Sequence, residues 1–162
     1  MLSKEEKSRG VVAFSSGNHA QGIAYASREL GTSAKIVMPS DAPKIKIWKT
    51  QEYGAEVIFY ERDEDNREEI GFSIAKEEGR KLIKPFDDLN VIYGQGTAAL
   101  EVMDEVDTKF DMSVVCCSGG GLAAGTGIVL KNSLSDCQLY TAEPKDWNCL
   151  LYTSPSPRDR SS

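Results

Sequence analysis

Short apolar runs alternate with helix-compatible stretches along nearly the whole chain, and this alternation limits what the chain can fold into. Strands are expected at Gly10–Phe14, Ala34–Met38, Glu56–Tyr60, Lys81–Ile83, Met112–Cys117 and Gln138–Ala142. Helices are expected at His19–Leu30, Ala42–Tyr53, Asn66–Glu78, Thr97–Val106 and Leu122–Lys131. Gly31, Gly54 and Gly79 stand where three of these helices end, as a left-handed C-terminal residue requires. In the second helix Ile45, Trp48 and Lys49 recur at helical spacing. Apolar strands joined through helices pair in parallel and are covered from both sides. The expected class is therefore α/β, with parallel sheets carrying helices on both faces.

At 162 residues and 40% hydrophobic content, the chain can bury the core of one domain or two small ones. A net charge of −6 argues against nucleic acid or an anionic membrane as the main partner. The start, Met1–Lys7, has no apolar targeting region, and no run approaches the length of a membrane span. A cytoplasmic protein is expected. Cys116, Cys117, Cys137 and Cys149 have no metal-ligand spacing, so buried reduced thiols are expected. The neighbouring pair, Cys116 and Cys117, should point to opposite faces of its strand.

Two strand-to-helix turns carry the chemistry. Ser118-Gly119-Gly120-Gly121 lies between an apolar strand and a helix start. Glycines there let the backbone approach a ligand, and the N–H groups with the helix dipole can hold a dianion. Ser15-Ser16-Gly17-Asn18-His19 occupies the same kind of position after the first strand. Both turns fall at carboxyl ends of strands, where open α/β sheets bind ligands. Together they describe a site for a phosphorylated cofactor.

The stretch Val11–Gly22 resembles the asparagine loop of pyridoxal-phosphate-dependent serine/threonine dehydratases and serine racemases. Ile36-Val37-Met38-Pro39, Ala42-Pro43-Lys44, Tyr53–Val57, Pro85–Asp88, Gly94–Thr97, Ser118–Gly121 and Ala142-Glu143-Pro144 match the same family in the same order. The resemblance covers roughly residues 8–148. It implies a small α/β domain at 10–86 and part of a larger cofactor-binding domain at 87–148. The Ser-, Pro- and Arg-rich stretch 149–162 reads as a disordered, non-native tail.

By that resemblance Ser118, Gly119, Gly120, Gly121 and Leu122 hold the phosphate of pyridoxal 5'-phosphate through backbone N–H groups. Serine stands where the commoner pattern has a first glycine, a change that main-chain donors tolerate. Asn18 hydrogen-bonds the ring hydroxyl, and helix N-capping is a second role open to it. Ser15, Gly17 and His19 receive the substrate carboxylate. Ser16 either exchanges a proton on the face opposite the cofactor lysine or makes a positioning hydrogen bond. Gln95 and Thr97 are expected in a turn beside the site, or as a structural cap. Glu143 matches a ligand for a divalent cation (Mg or Ca), although Asp146 is spaced differently from the usual second acid and Cys149 stands near its place.

The family's cofactor lysine lies upstream of the asparagine loop, in a pattern that Lys4 and Lys7 do not match. An internal fragment is expected, with apolar strand edges uncovered, low solubility and weak cofactor affinity. The implied parent is a homo-oligomeric ammonia-lyase that turns a 3-hydroxy amino acid into a 2-oxo acid and ammonia. Racemisation and a non-catalytic truncated product are the alternatives. A nucleotide-binding Rossmann domain is disfavoured, because the glycine loop comes late and no suitable acid follows it.

Overall fold

The computed structural model describes residues 2–107 and 109–145; Asp146, Cys149 and the expected tail at 149–162 lie outside the described residues. Contacts divide the chain between Pro85 and Phe86. The first unit contains α1 (Lys4–Arg9), β1 (Val11–Phe14), α2 (Asn18–Glu29), β2 (Ala34–Pro39), α3 (Lys44–Glu52), β3 (Glu56–Tyr60), α4 (Arg67–Glu78) and β4 (Lys81–Ile83). The second contains α5 (Leu89–Glu105), β5 (Met112–Cys116), α6 (Gly121–Ser133) and β6 (Gln138–Ala142).

In the first unit four parallel strands lie in the order β3-β2-β1-β4. Val11 is opposite both Ala34 and Lys81, which fixes the register of the central strand. Side chains alternate across the sheet, so one strand supplies two cores. Val11, Ala13, Ile36 and Met38 pack with Ala20 and Ala24 of α2 and with Ile47 of α3. Val12, Phe14, Val37 and Tyr60 face the other way, onto Ile70, Ile74 and Ala75 of α4. The chain winds outward from β1 to β3 and returns to β4 on the far side of β1. Strand order thus reverses beside β1, and the crevice beyond its carboxyl end is where such sheets bind ligands. The Ser15–His19 loop leaves β1 there. Across this switch point the His19 ring Nε2 meets the Ile83 carbonyl at 3.5 Å, and an N–H must donate because the carbonyl can only accept.

Local chemistry sets the helix ends. Pro43 is the N-cap of α3, so the helix starts later than Ala42. Ile45 and Trp48 are exposed, and Ile47 and Thr50 are the side chains that turn inward. The side chain of Asn66 accepts the N–H groups of Glu68 and Glu69, and Gly79 closes α4 in the left-handed conformation. A Ser3–Glu6 capping box starts α1, an element whose polar sequence gave only a helix-like context.

In the second unit β5 and β6 form a parallel pair, with Met112 opposite Gln138. α5 begins at Leu89, where the Asp88 carboxylate accepts the Asn90 N–H, well before the expected Thr97. It runs straight through Gln95 and Thr97, so the expected turn there is absent. Helix continuity is kept because Gly96 serves close packing rather than a break. A Cβ on Gly96 would lie 3.0 Å from the Gly125 carbonyl, and one on Gly125 would collide with the Ile92 carbonyl and lie 2.6 Å from the Gly96 nitrogen. The outward face of the β5–β6 pair exposes Met112, Val114 and Tyr140. Cys116 lies on that face and is exposed, Cys137 is half-buried, and only Cys117 among the described thiols is buried. The expectation of buried thiols is corrected accordingly: strand alternation sends Cys116 to the side no described helix covers.

Gly125→Ala should force α5 and α6 apart and lower stability by about 1–3 kcal/mol, read as the urea midpoint. Burial holds the His19 pKa below its ordinary 6.5, opposed only by the Ile83 hydrogen bond. The unfolded chain therefore takes up the proton first, and stability falls as pH drops below that value. His19 is the only histidine, so His19→Asn should flatten the change in urea midpoint between about pH 7 and pH 5.5.

Candidate functional site

The asparagine loop is built on the end of β1. Ser15 N–H donates to the Val37 carbonyl at 3.0 Å, extending the ladder by one residue. The Ser15 hydroxyl then accepts the Gly17 N–H at 3.2 Å, which folds the loop back toward α2. Gly17 is the N-cap of α2 and brings no side-chain cap. The capping role open to Asn18 is therefore not used: Asn18 is already the first helical residue, and its side chain is free for other work. It is exposed, and its Oδ1 accepts from Lys46 Nζ at 2.6 Å. Ser15, Ser16, Gly17 and His19 are half-buried. Desolvation holds the His19 imidazole toward its neutral form, with one ring N–H engaged by Ile83.

The glycine loop joins β5 to α6. Cys117 N–H donates to the Ala142 carbonyl at 2.9 Å, closing the parallel pair just before the loop begins. Gly120 is the N-cap of α6 with φ 89°, a left-handed conformation that L side chains rarely adopt, and it brings no side-chain cap. A Cβ on Gly119 would run into the Phe86 ring, and one on Gly121 would come within 3.3 Å of the Phe86 Cα. Glycine is thus required here for two separate reasons, conformation and close approach. The first turn of a helix has N–H groups without intrahelical partners. Ser118 and Gly119 are exposed, Gly120 and Leu122 are half-buried, and Gly121 is buried. A run of uncapped main-chain donors at the positive end of a thirteen-residue helix suits a phosphate monoester. The residues present therefore fit pyridoxal 5'-phosphate.

The remaining expected residues are more scattered. Gln95 is exposed on α5 and Thr97 donates its hydroxyl to the Gly94 carbonyl at 2.7 Å, within the same helix. Glu143 is half-buried just beyond β6. Among the described residues no group of three or more His, Cys, Asp or Glu side chains could hold a metal ion. A cleft of about 440 Å³ runs along β5, between Ala98 and Val102 of α5 and Leu122, Thr126 and Leu130 of α6. Its lining is largely apolar, and it lacks the cluster of donors that distinguishes the glycine loop. Lys46 was not singled out from sequence, since nothing local marks a partner 28 residues away.

Comparisons with known proteins show which family the chain resembles. Residues 1–159 match the family described as pyridoxal-phosphate dependent enzyme. The chain is 43% identical over 147 residues to a serine racemase of Schizosaccharomyces pombe, covering 91% of this chain and 45% of that protein. It is 48% identical over 143 residues to an L-threo-3-hydroxyaspartate ammonia-lyase of a Pseudomonas species, covering 88% of this chain and 44% of the relative. The solved structure of maize serine racemase superposes with a TM-score of 0.85 at 36% identity, over 91% of this chain and 44% of the other. The chain spans a little under half the length of these relatives. A match along almost its whole length places this chain in the pyridoxal-phosphate-dependent enzyme family.

Proposed function

We propose that this chain forms part of a pyridoxal-phosphate-dependent ammonia-lyase that converts a 3-hydroxy amino acid to a 2-oxo acid and ammonia. The observation that carries this proposal is the uncapped, glycine-lined start of α6, in a chain 48% identical to a hydroxyaspartate ammonia-lyase. When bound, pyridoxal 5'-phosphate supplies an electron sink for charge developing at the substrate Cα. Ser118, Gly119, Gly120, Gly121 and Leu122 hold its phosphate through main-chain N–H groups. Asn18 donates to its ring hydroxyl. Ser15, Gly17 and His19 receive the substrate carboxylate, with Gln95 contributing on the substrate side. His19 works through its backbone and packing, because its neutral ring is committed to Ile83. The Ser16 hydroxyl holds or returns a proton at the substrate Cα.

The names of the relatives support small amino-acid substrates for the parent, and a cytoplasmic, homo-oligomeric parent is part of the same proposal. No helix among the described residues is long and apolar enough to cross a membrane. Among the described residues no group of three or more His, Cys, Asp or Glu side chains could hold a divalent cation, so Glu143 is assigned no step.

A racemase is the second reading, favoured by the likeness to two serine racemases. Product analysis of the full-length protein separates the two. Ammonia and a 2-oxo acid from serine, threonine or 3-hydroxyaspartate support the lyase. Inverted amino acid without ammonia establishes the racemase, and neither product leaves the non-catalytic alternative. Ser16→Ala should lower racemisation by about 100-fold or more while sparing most elimination, as loss of one proton-transferring group predicts. Gly120→Ala should cost about 1 kcal/mol of stability through backbone strain, seen in urea unfolding. The same variant should weaken pyridoxal phosphate binding in a fluorescence titration.

A further inference from the structure

Lys46 stands in the first turn of α3 with its backbone fixed on both sides. Its N–H donates to the Pro43 carbonyl at 2.8 Å. Its own carbonyl accepts the hydroxyl of Thr50 at 2.8 Å, and Thr50 is fully buried. The side chain is half-buried, and its ammonium donates to Asn18 Oδ1 at 2.6 Å. Among the described residues no carboxylate pairs with Lys46, although the chain carries 25 acidic residues. A lysine that passes over abundant acids for a neutral amide is unusual on electrostatic grounds.

The chemistry of that contact is one-directional. An ammonium has donors and no acceptor, so the amide atom facing it must be Oδ1. The Asn18 amide is thereby fixed in one of its two orientations, with Nδ2 as the end left to donate. We propose that Lys46 is a positioning residue for Asn18, pinning Oδ1 so that Nδ2 is presented as a donor to an oxyanion acceptor. This rests on the assignment of the cofactor ring hydroxyl to Asn18. The Lys46 ammonium bound to Oδ1 also polarises the amide, strengthening the opposite N–H groups as donors. Without Lys46 the amide can turn and place its oxygen against an electron-rich ring oxygen, where the two would repel.

The full chain and the variants Lys46→Met, Lys46→Arg and Asn18→Ala test this in two stages. In the ligand-free chain with 15N-labelled asparagine, the Asn18 side-chain amide resonance should move in Lys46→Met and largely return in Lys46→Arg. An unmoved resonance overturns the proposal before any ligand is added. Fluorescence titrations then compare pyridoxal 5'-phosphate with its 3-deoxy analogue, which lacks the ring hydroxyl. Lys46→Met should lose about fivefold in affinity for the first and nothing for the second, the size expected for one hydrogen bond. Equal losses for both compounds mean a merely structural tie between α2 and α3 and overturn the proposal. Adding Lys46→Met to Asn18→Ala should cost nothing further, and full additivity also overturns it. If Asn18→Ala alone leaves discrimination between the compounds intact, the role of Asn18 fails instead, while the resonance measurement still judges the contact.

Discussion

Burial of β1 on both faces is the constraint from which the first unit follows. Val12 and Ala13 have no exposed surface, and Val11 and Phe14 have almost none. A strand removed from water this completely must place every N–H and C=O in a ladder, because an unpaired buried backbone group is costly. Both edges of β1 are accordingly paired, with β2 on one side and β4 on the other. Pairing with β4 is what reverses the strand order. That reversal puts the Ser15–His19 loop at the switch point of the strand order, where such sheets bind ligands. The position of the asparagine loop is a consequence of how the central strand satisfies its hydrogen bonds.

The second unit relies on glycine rather than on strand burial. Gly96 and Gly125 let α5 and α6 approach until backbone meets backbone, and Gly119 gives the same closeness against Phe86. This packing seats the start of α6 beside the end of β5. The glycine loop Ser118–Gly121 carries no lysine or arginine of its own. Main-chain dipoles at an uncapped helix start are the donors it offers an anion.

Much of this was legible from residues alone. β3, β4 and β6 match their expected bounds, and the other strands differ by one residue at an end. The misses have specific causes. The Gly94–Thr97 motif reads as a turn, yet here the absent side chain of Gly96 makes room for another helix. Ile45 and Trp48 recur at helical spacing yet are exposed, because Pro43 sets the start of α3 and Thr50 and Ile47 take the inward face. Cys116 shares an apolar strand with valines and is still exposed, because apolarity alone does not say which face finds a cover.

The sequence by itself determined the parallel α/β class, the two strand-end loops and the kind of ligand their donors suit. Those features depend on short-range periodicity and on residue chemistry within a few positions. Only the tertiary structure decided that the side chain of Asn18 faces Lys46 instead of capping its own helix, and that the ring of His19 reaches Ile83, 64 residues away. Contacts of that kind depend on which strands are neighbours and how helices lie over them. Alternation of strand and helix leaves that order open, and backbone pairing in the folded sheet settles it.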